Sequence, residues 1–235
     1  MAAFFEWTDE ALVRNVFNGL QKLLVDPPTD PAREQAPVLI TPRIFEQELC
    51  RRLMHYFDAM GGEQSGFMRD INGRTTHVHD PERKLRRDQL IEDETLCSAA
   101  MHRIHDRLVP EIQKAFQFRA TRIERHLVAC YNSETGGYFR PHRDNTTLGT
   151  AHRRFAVSLN LNTGAYVGGQ VRFPEFGYYT YEAPAGGALV FSCSLLHEAL
   201  PVTSGRRYVY LPFLYDEEAA KVRQANLIHV APDSA

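Results

Sequence analysis

The sequence predicts an α+β chain, with helical support in the N-terminal half and an antiparallel double-sheet barrel of jelly-roll type in the C-terminal half. Three observations predict it. Apolar stripes at helical period dominate up to about residue 118. From residue 121 onward, short apolar runs and period-two alternation take over, cut repeatedly by Gly and Pro. Finally, 235 residues at 43% hydrophobic content suffice for one full core with an extension.

The elements follow in order. Residues 8–24 (TDEALVRNVFNGLQKLL) place Leu12, Val13, Val16, Phe17, Leu20, Leu23 and Leu24 at helical period, with Thr8 able to cap. DPPTDPAREQAP then reads as a linker, rich in Pro and charge and without apolar periodicity. Next, VLI suggests a short strand. Thr41-Pro42 predicts the start of a helix carrying Ile44, Phe45, Leu49, Leu53 and Phe57, stopped by Gly61-Gly62. Asn72-Gly73 marks a hairpin turn. EDETLCSAAMHRIHDRLVPEIQKAF reads as a long helix interrupted near Pro110. The strand runs RIERHLVACY, RRFAVSLNLN, GGQVRF, GYYTYEA, GGALVFS and RRYVYLPFLY come next, and EEAAKVRQANLI closes the chain as a helix. The expected divisions are therefore 1–36 (helix and linker), 37–120 (helical support) and 121–235 (barrel and closing helix).

Composition narrows the function classes. A formal net charge of −2 supplies no field for nucleic acid or anionic membrane. No run is long and apolar enough to span a bilayer, and the N-terminus does not resemble a secretory signal. Cys50, Cys97, Cys130 and Cys193 lack paired spacing and CxxC, which predicts reduced thiols in a cytoplasmic protein without a zinc site.

Chemistry concentrates in two places. YFRPHRDN holds His142 and Asp144, two apart, so in an extended segment both side chains point one way while Arg143 points the other. About fifty residues later, LVFSCSLLHEALPVTSGRRYVYLPF supplies His197 after a buried strand, and then Arg206-Arg207. Two imidazoles and one carboxylate suit Fe(II) and leave coordination positions open for a co-substrate and O₂. A 2-oxo acid that chelates such a metal has a second carboxylate to bury, and an arginine fork matches it. Arg207 shares its strand face with Val209, Leu211 and Phe213, whereas Arg206 goes with Tyr208, Tyr210 and Pro212. The more apolar face should look inward, which favours Arg207.

These pieces, LVACYNSETGGYFRPHRDN, FAVSLNLN, GGQVRFPEFG and GGALVFSCSLLHEALPVTSGRRYVYLPFLYD, together resemble the 2-oxoglutarate/Fe(II)-dependent oxygenases of the prolyl-4-hydroxylase-like branch. The likeness spans residues 121–216 and implies a double-stranded β-helix core, making residues 37–235 one catalytic domain. It implies His142, Asp144 and His197 as iron ligands, Arg207 as the anchor of 2-oxoglutarate, and Tyr131 in the co-substrate pocket. Relatives often carry a second tyrosine where this chain has Ser158, Asn160 and Asn162. The implied cofactors are Fe(II), 2-oxoglutarate and O₂, with ascorbate as a candidate reductant. The implied reaction is hydroxylation of a peptidyl, proline-like residue or of a small amino-acid-type substrate, with release of succinate and CO₂. Asp144 itself favours hydroxylation, because halogenating relatives lack that carboxylate. Other oxidative outcomes and a non-catalytic metal-sensing barrel are the competing readings. A nucleic-acid demethylase is disfavoured, since that branch usually has a second arginine where this chain has Phe213. The partner is thus a peptide, protein or small molecule.

The remaining clusters read as bland. His77-x-His79-Asp80 is expected in a solvated loop, and His102 and His105 on a helix as packing or surface residues; the basic run PERKLRRD (81–88) is read as a solvated loop in preference to a segment that attracts an acidic substrate or folds over the site. Segments 61–90 and 145–153 are expected to shape the substrate entrance.

Overall fold

The computed structural model describes Arg14 and residues 35–231, so the helix expected over 8–24 and most of its linker lie outside the described residues. Strand β1 (Leu39–Thr41) leads to helix α1 (Gln47–Met60). The helix begins later than Thr41-Pro42 predicts, for a tertiary reason. Arg43 sits at φ 58, and the N–H groups of Ile44 and Phe45 both donate to the Gly186 carbonyl, at 2.8 and 2.9 Å. Both side chains are buried from a docked loop instead of a helical turn. Gly61, at φ 84, ends α1 as a left-handed cap.

Strand β2 (Glu63–Gln64) precedes the hairpin β3 (Phe67–Ile71) and β4 (Arg74–Val78). Asn72 and Gly73 turn it at φ 51 and 76, the positive pair that a two-residue hairpin of matching twist requires. Strands β5 (Lys84–Leu85) and β6 (Arg87–Leu90) occupy the basic run expected to be a solvated loop. That expectation is corrected: Lys84 and Arg86 are buried. Period-two alternation within the run sends Lys84, Arg86 and Asp88 to one side. Helices α2 (Glu94–Arg103) and α3 (Val109–Phe116) are joined by a π turn at Ile104–Leu108. The expected break near Pro110 becomes this turn, in which the Val109 N–H reaches back to the Ile104 carbonyl and the rod continues.

The remaining strands are β7 (Arg122–Ile123), β8 (Leu127–Asn132), β9 (Tyr138–His142), β10 (Phe155–Asn160), β11 (Tyr166–Gly168) and β12 (Val171–Arg172). They continue with β13 (Thr180–Tyr181), β14 (Ala188–Ser192), β15 (His197–Ala199), β16 (Val202–Tyr210) and β17 (Phe213–Tyr215), and α4 (Glu217–Asn226) closes the fold. The predicted run RRYVYLPFLY is broken at Leu211-Pro212 into β16 and β17, because proline cannot donate to the ladder.

Two antiparallel sheets result. The larger runs β1-β14-β10-β16-β8-β6-β2, with β11, β17 and β7 attached, and the smaller runs β13-β12-β15-β9-β5. This is the α+β double-stranded β-helix architecture that the sequence predicts. The central strands β8, β10 and β16 of the larger sheet serve two faces. Val128, Cys130, Val157, Leu159, Tyr208 and Tyr210 face the helices, joining Leu53, Leu108 and Ile112 in one cluster. The alternate residues Ala129, Tyr131 and Val209 meet Ala199 and Phe139 of the smaller sheet. Fully buried side chains such as Leu53 and Leu159 each contribute on the order of 1.5–3 kcal/mol. The helices thus brace the sheet from behind and leave its inner face to the site.

Candidate active site

His142 and His197 are paired directly across β9 and β15. Two residues of β15 span three of β9 here, so β9 carries a bulge at Arg140-Pro141. The bulge brings Phe139 onto the face of His142, and the two rings stack with centroids 3.5 Å apart. Asp144 follows in the loop. Its N–H donates to the Cys193 carbonyl at 3.0 Å, and its own carbonyl accepts from Arg153 at 3.4 Å. The carboxylate lies 3.6 Å from His142 Nε2 and 3.4 Å from His197 Nε2. One donor atom from each of the three residues falls within 4.8 Å of the others, a grouping able to hold a metal ion. Arg143 turns aside to pair with Glu175 at 2.7 Å.

The protonation pattern fits a metal. Nδ1 of His142 faces the Arg140 carbonyl at 2.8 Å, and Nδ1 of His197 faces that of Leu195 at 3.0 Å. Each Nδ1–H therefore donates to a backbone oxygen, which leaves the Nε2 lone pairs free and convergent. Burial pulls His197 down to about 4, so its imidazole is neutral near pH 7. Burial opposes ionisation of Asp144, but the neighbouring His197 and His142 more than offset this and hold the carboxyl below its ordinary range. Two imidazole nitrogens and one carboxylate are the donor set that suits Fe(II).

Arg207 lies in the same cavity, which measures about 730 Å³. It is 3% exposed, and its Nη2 donates to Ser158 Oγ and Asn160 Oδ1, both at 2.9 Å. Its Nε is buried without a hydrogen-bond partner, and among the described residues it has no ion pair. A permanently charged, buried guanidinium held only by neutral oxygens matches an incoming carboxylate. Tyr131 stands opposite Arg207 in the β8–β16 register, with the guanidinium 5.2 Å from its ring centre. The face assignment made from alternation is the observed one, since the Arg206 side chain is 55% exposed. Gly169, at φ 74, gives the arginine room: a Cβ there would lie 2.9 Å from Arg207 Cδ.

The family model described as the 2OG-Fe(II) oxygenase superfamily matches residues 126–215, the stretch that carries all of these groups. Among similar sequences, a PKHD-type hydroxylase from Synechococcus sp. is 33% identical over 88 residues, covering 35% of this chain and 38% of that protein. Another from Hyphomonas neptunium is 26% identical over 110 residues, 44% of this chain and 48% of that one. The matched stretch thus spans less than half the length of these relatives. Among solved structures, a Pseudomonas putida prolyl-4-hydroxylase superposes with a TM-score of 0.58 at 21% identity, covering 80% of this chain and 96% of that one. A Trichoplax adhaerens prolyl hydroxylase, solved with a hypoxia-inducible-factor peptide fragment, gives 0.55 at 16% identity, covering 93% and 97%. At these identities the likeness speaks for the fold alone.

Within the matched stretch, the positions that lack the second tyrosine have clear tasks. Ser158 and Asn160 steady the Arg207 guanidinium. Asn162 instead clips β16, donating to the Arg206 carbonyl and accepting from the Tyr208 N–H, at 2.8 and 2.9 Å. His102 and His105 are exposed on the helical rod, whereas His77 corrects the expected loop: it is exposed but lies on strand β4 and lines the cavity. The sequence reading missed a polar wall built by β5 and β6. Arg86 donates to the Tyr131 hydroxyl at 3.1 Å and pairs with Asp88 at 2.6 Å, and the Ser65 hydroxyl also donates to Asp88. Reading Lys84, Arg86 and Asp88 as one face of a strand, and not as a charge run, would have found it.

Proposed function

We propose that the chain is an Fe(II)- and 2-oxoglutarate-dependent dioxygenase that hydroxylates a peptidyl, proline-like residue or a small amino-acid-type substrate. One observation carries this reading. Three convergent donor atoms and a buried arginine without an anion share one cavity. When bound, iron and 2-oxoglutarate supply the oxidative chemistry, in which O₂ is consumed, the oxo acid is decarboxylated to succinate and CO₂, and one oxygen is added to the substrate.

The protein's own residues supply position. His142, Asp144 and His197 would hold the metal, with their second nitrogens and backbone fixed by carbonyl contacts. Arg207 would grip the far carboxylate of 2-oxoglutarate, steadied by Ser158 and Asn160, while Tyr131 lines that pocket. Apolar groups such as Phe191, Val171 and Ala156 wall the cavity and limit water beside the reacting groups. Residues from both expected entrance segments, Phe67 and Thr146 among them, line its mouth.

The peptide bound to the Trichoplax neighbour supports a peptide or protein substrate. Four unpaired cysteines, with Cys50 and Cys130 pushed up to about 11 by burial, support a reducing, cytoplasmic setting. Incubating the protein with Fe(II), 2-oxoglutarate and a panel of peptides and amino acids tests the proposal. Succinate should form together with a product heavier by one oxygen. A protein that binds Fe(II) but yields no succinate with any substrate would be a metal-binding barrel without this activity.

A further inference from the structure

Lys84 is a buried ammonium with no anion beside it. It is 4% exposed, and its Nζ donates to the Gly66 carbonyl and lies 4.7 Å from the centre of the Phe139 ring. Among the described residues no carboxylate stands within ion-pair distance of it. The neighbouring buried cations are different. Arg86 is neutralised by Asp88 and Arg153 by Glu124, each pair at 2.6 Å.

Its place in the fold is informative. Lys84 pairs across β5 and β9 with Phe139, whose ring stacks on His142. The ammonium therefore belongs to the same wall of the smaller sheet as the two histidines, and it lines the same cavity. Burial, followed by the field of Arg86, pulls Lys84 well below the ordinary lysine range, and Asp88 and Asp144 offset this only in part. A buried ammonium with one carbonyl acceptor and a ring face is poorly compensated, and an anion entering the cavity would complete it. The far carboxylate of 2-oxoglutarate is already answered by Arg207. At the entrance, Arg69 and Arg83 lie 6.0 and 5.8 Å from the centre of the Phe67 ring, a cationic rim that draws anions inward.

We propose that Lys84 receives a carboxylate of the substrate, so that this enzyme acts on a carbon close to a free acid group. The proposal rests on the oxygenase reading and narrows its substrate class. The acid could belong to a free amino-acid-type molecule or to an acidic side chain in a peptide, and the test separates the two.

The full chain is loaded under nitrogen with Fe(II), and 2-oxoglutarate is titrated first by calorimetry. L-proline is then compared with L-prolinamide, and an end-capped peptide with a central Glu is compared with the same peptide carrying Gln. In at least one pair the acid should bind about tenfold tighter than its amide. The pair that shows the difference names the source. Lys84→Met should erase the preference and Lys84→Arg should keep it, both with normal 2-oxoglutarate titrations. A lysine that merely pins the Gly66 loop would affect acid and amide alike. Acids that bind no better than amides, or not at all, overturn the proposal while the oxygenase reading stands. So does a preference that survives in Lys84→Met. Failure of 2-oxoglutarate itself to bind would remove both.

Discussion

Arg207 and Tyr131 face each other in register across β16 and β8, with the guanidinium 5.2 Å from the centre of the ring. The pair is rigid, because both strands sit in the middle of the larger sheet and the helices cover their other faces. A cation held on two neutral oxygens and an aromatic face binds its anion at little cost in side-chain entropy.

Arg207→Ala should therefore raise the dissociation constant for 2-oxoglutarate steeply, by roughly 3–5 kcal/mol of lost binding if the carboxylate is left buried and unpaired. Arg206→Ala, on the exposed side of the same strand, should change it less than about twofold. Calorimetric titration of both variants checks this, and the reverse order would reassign the anchor.

Gly169→Ala should act at a distance on the same contact. Its Cβ would meet Arg207 Cδ at 2.9 Å, and φ 74 already disfavours any side chain. The expected result is weakened 2-oxoglutarate binding with Fe(II) binding unchanged, read from separate titrations of the two.

His142→Ala and Asp144→Ala should each abolish turnover and Fe(II) retention, as measured by metal analysis after desalting. The rest of the fold should persist, because the cross-strand ladder of β9 and β15 is made by backbone groups.

The Arg86–Asp88 pair should contribute measurably to acid stability. Burial opposes the charge on Asp88, but Arg86 and then Lys84 overcome it and hold the carboxyl at about 2 against an ordinary 3.8. A depressed carboxyl stabilises the fold fully above its unfolded value. That contribution, on the order of 2 kcal/mol, is lost as pH falls from near 4 toward 2. Glu124, held low by Arg153 and His152 against its burial, adds in the same direction. Urea midpoints across pH 2–6 should show the drop, and Asp88→Asn should reduce it, leaving the part that Glu124 supplies. Arg86→Met should cost about 3–5 kcal/mol at pH 7, because it strands Asp88 without its partner.

The site was legible where chemistry and strand periodicity agreed. The choice of Arg207 over Arg206 follows from which side chains share a face, whereas His142-x-Asp144 and the lone His197 stand out by residue type, spacing and order. What escaped was tertiary. Ile44 and Phe45 have helical spacing, but the Gly186 carbonyl captures their N–H groups and makes them a docked loop. No local pattern reports a carbonyl supplied from so far along the chain. PERKLRRD escaped for another reason: a run of charges resembles a wet surface unless the partners that bury it, Asp88, Tyr131 and Phe139, are known.

The β3–β4 hairpin at the cavity mouth is tied down by one fully buried threonine. Thr75 donates to Asp70, accepts from the Gly149 N–H, and offers its carbonyl to the Ala231 N–H. The rim over the substrate and the last described residues therefore form one mechanical unit. Trimming the tail behind His229, or fusing a bulky tag there, would slacken the doorway without touching a single group that does chemistry.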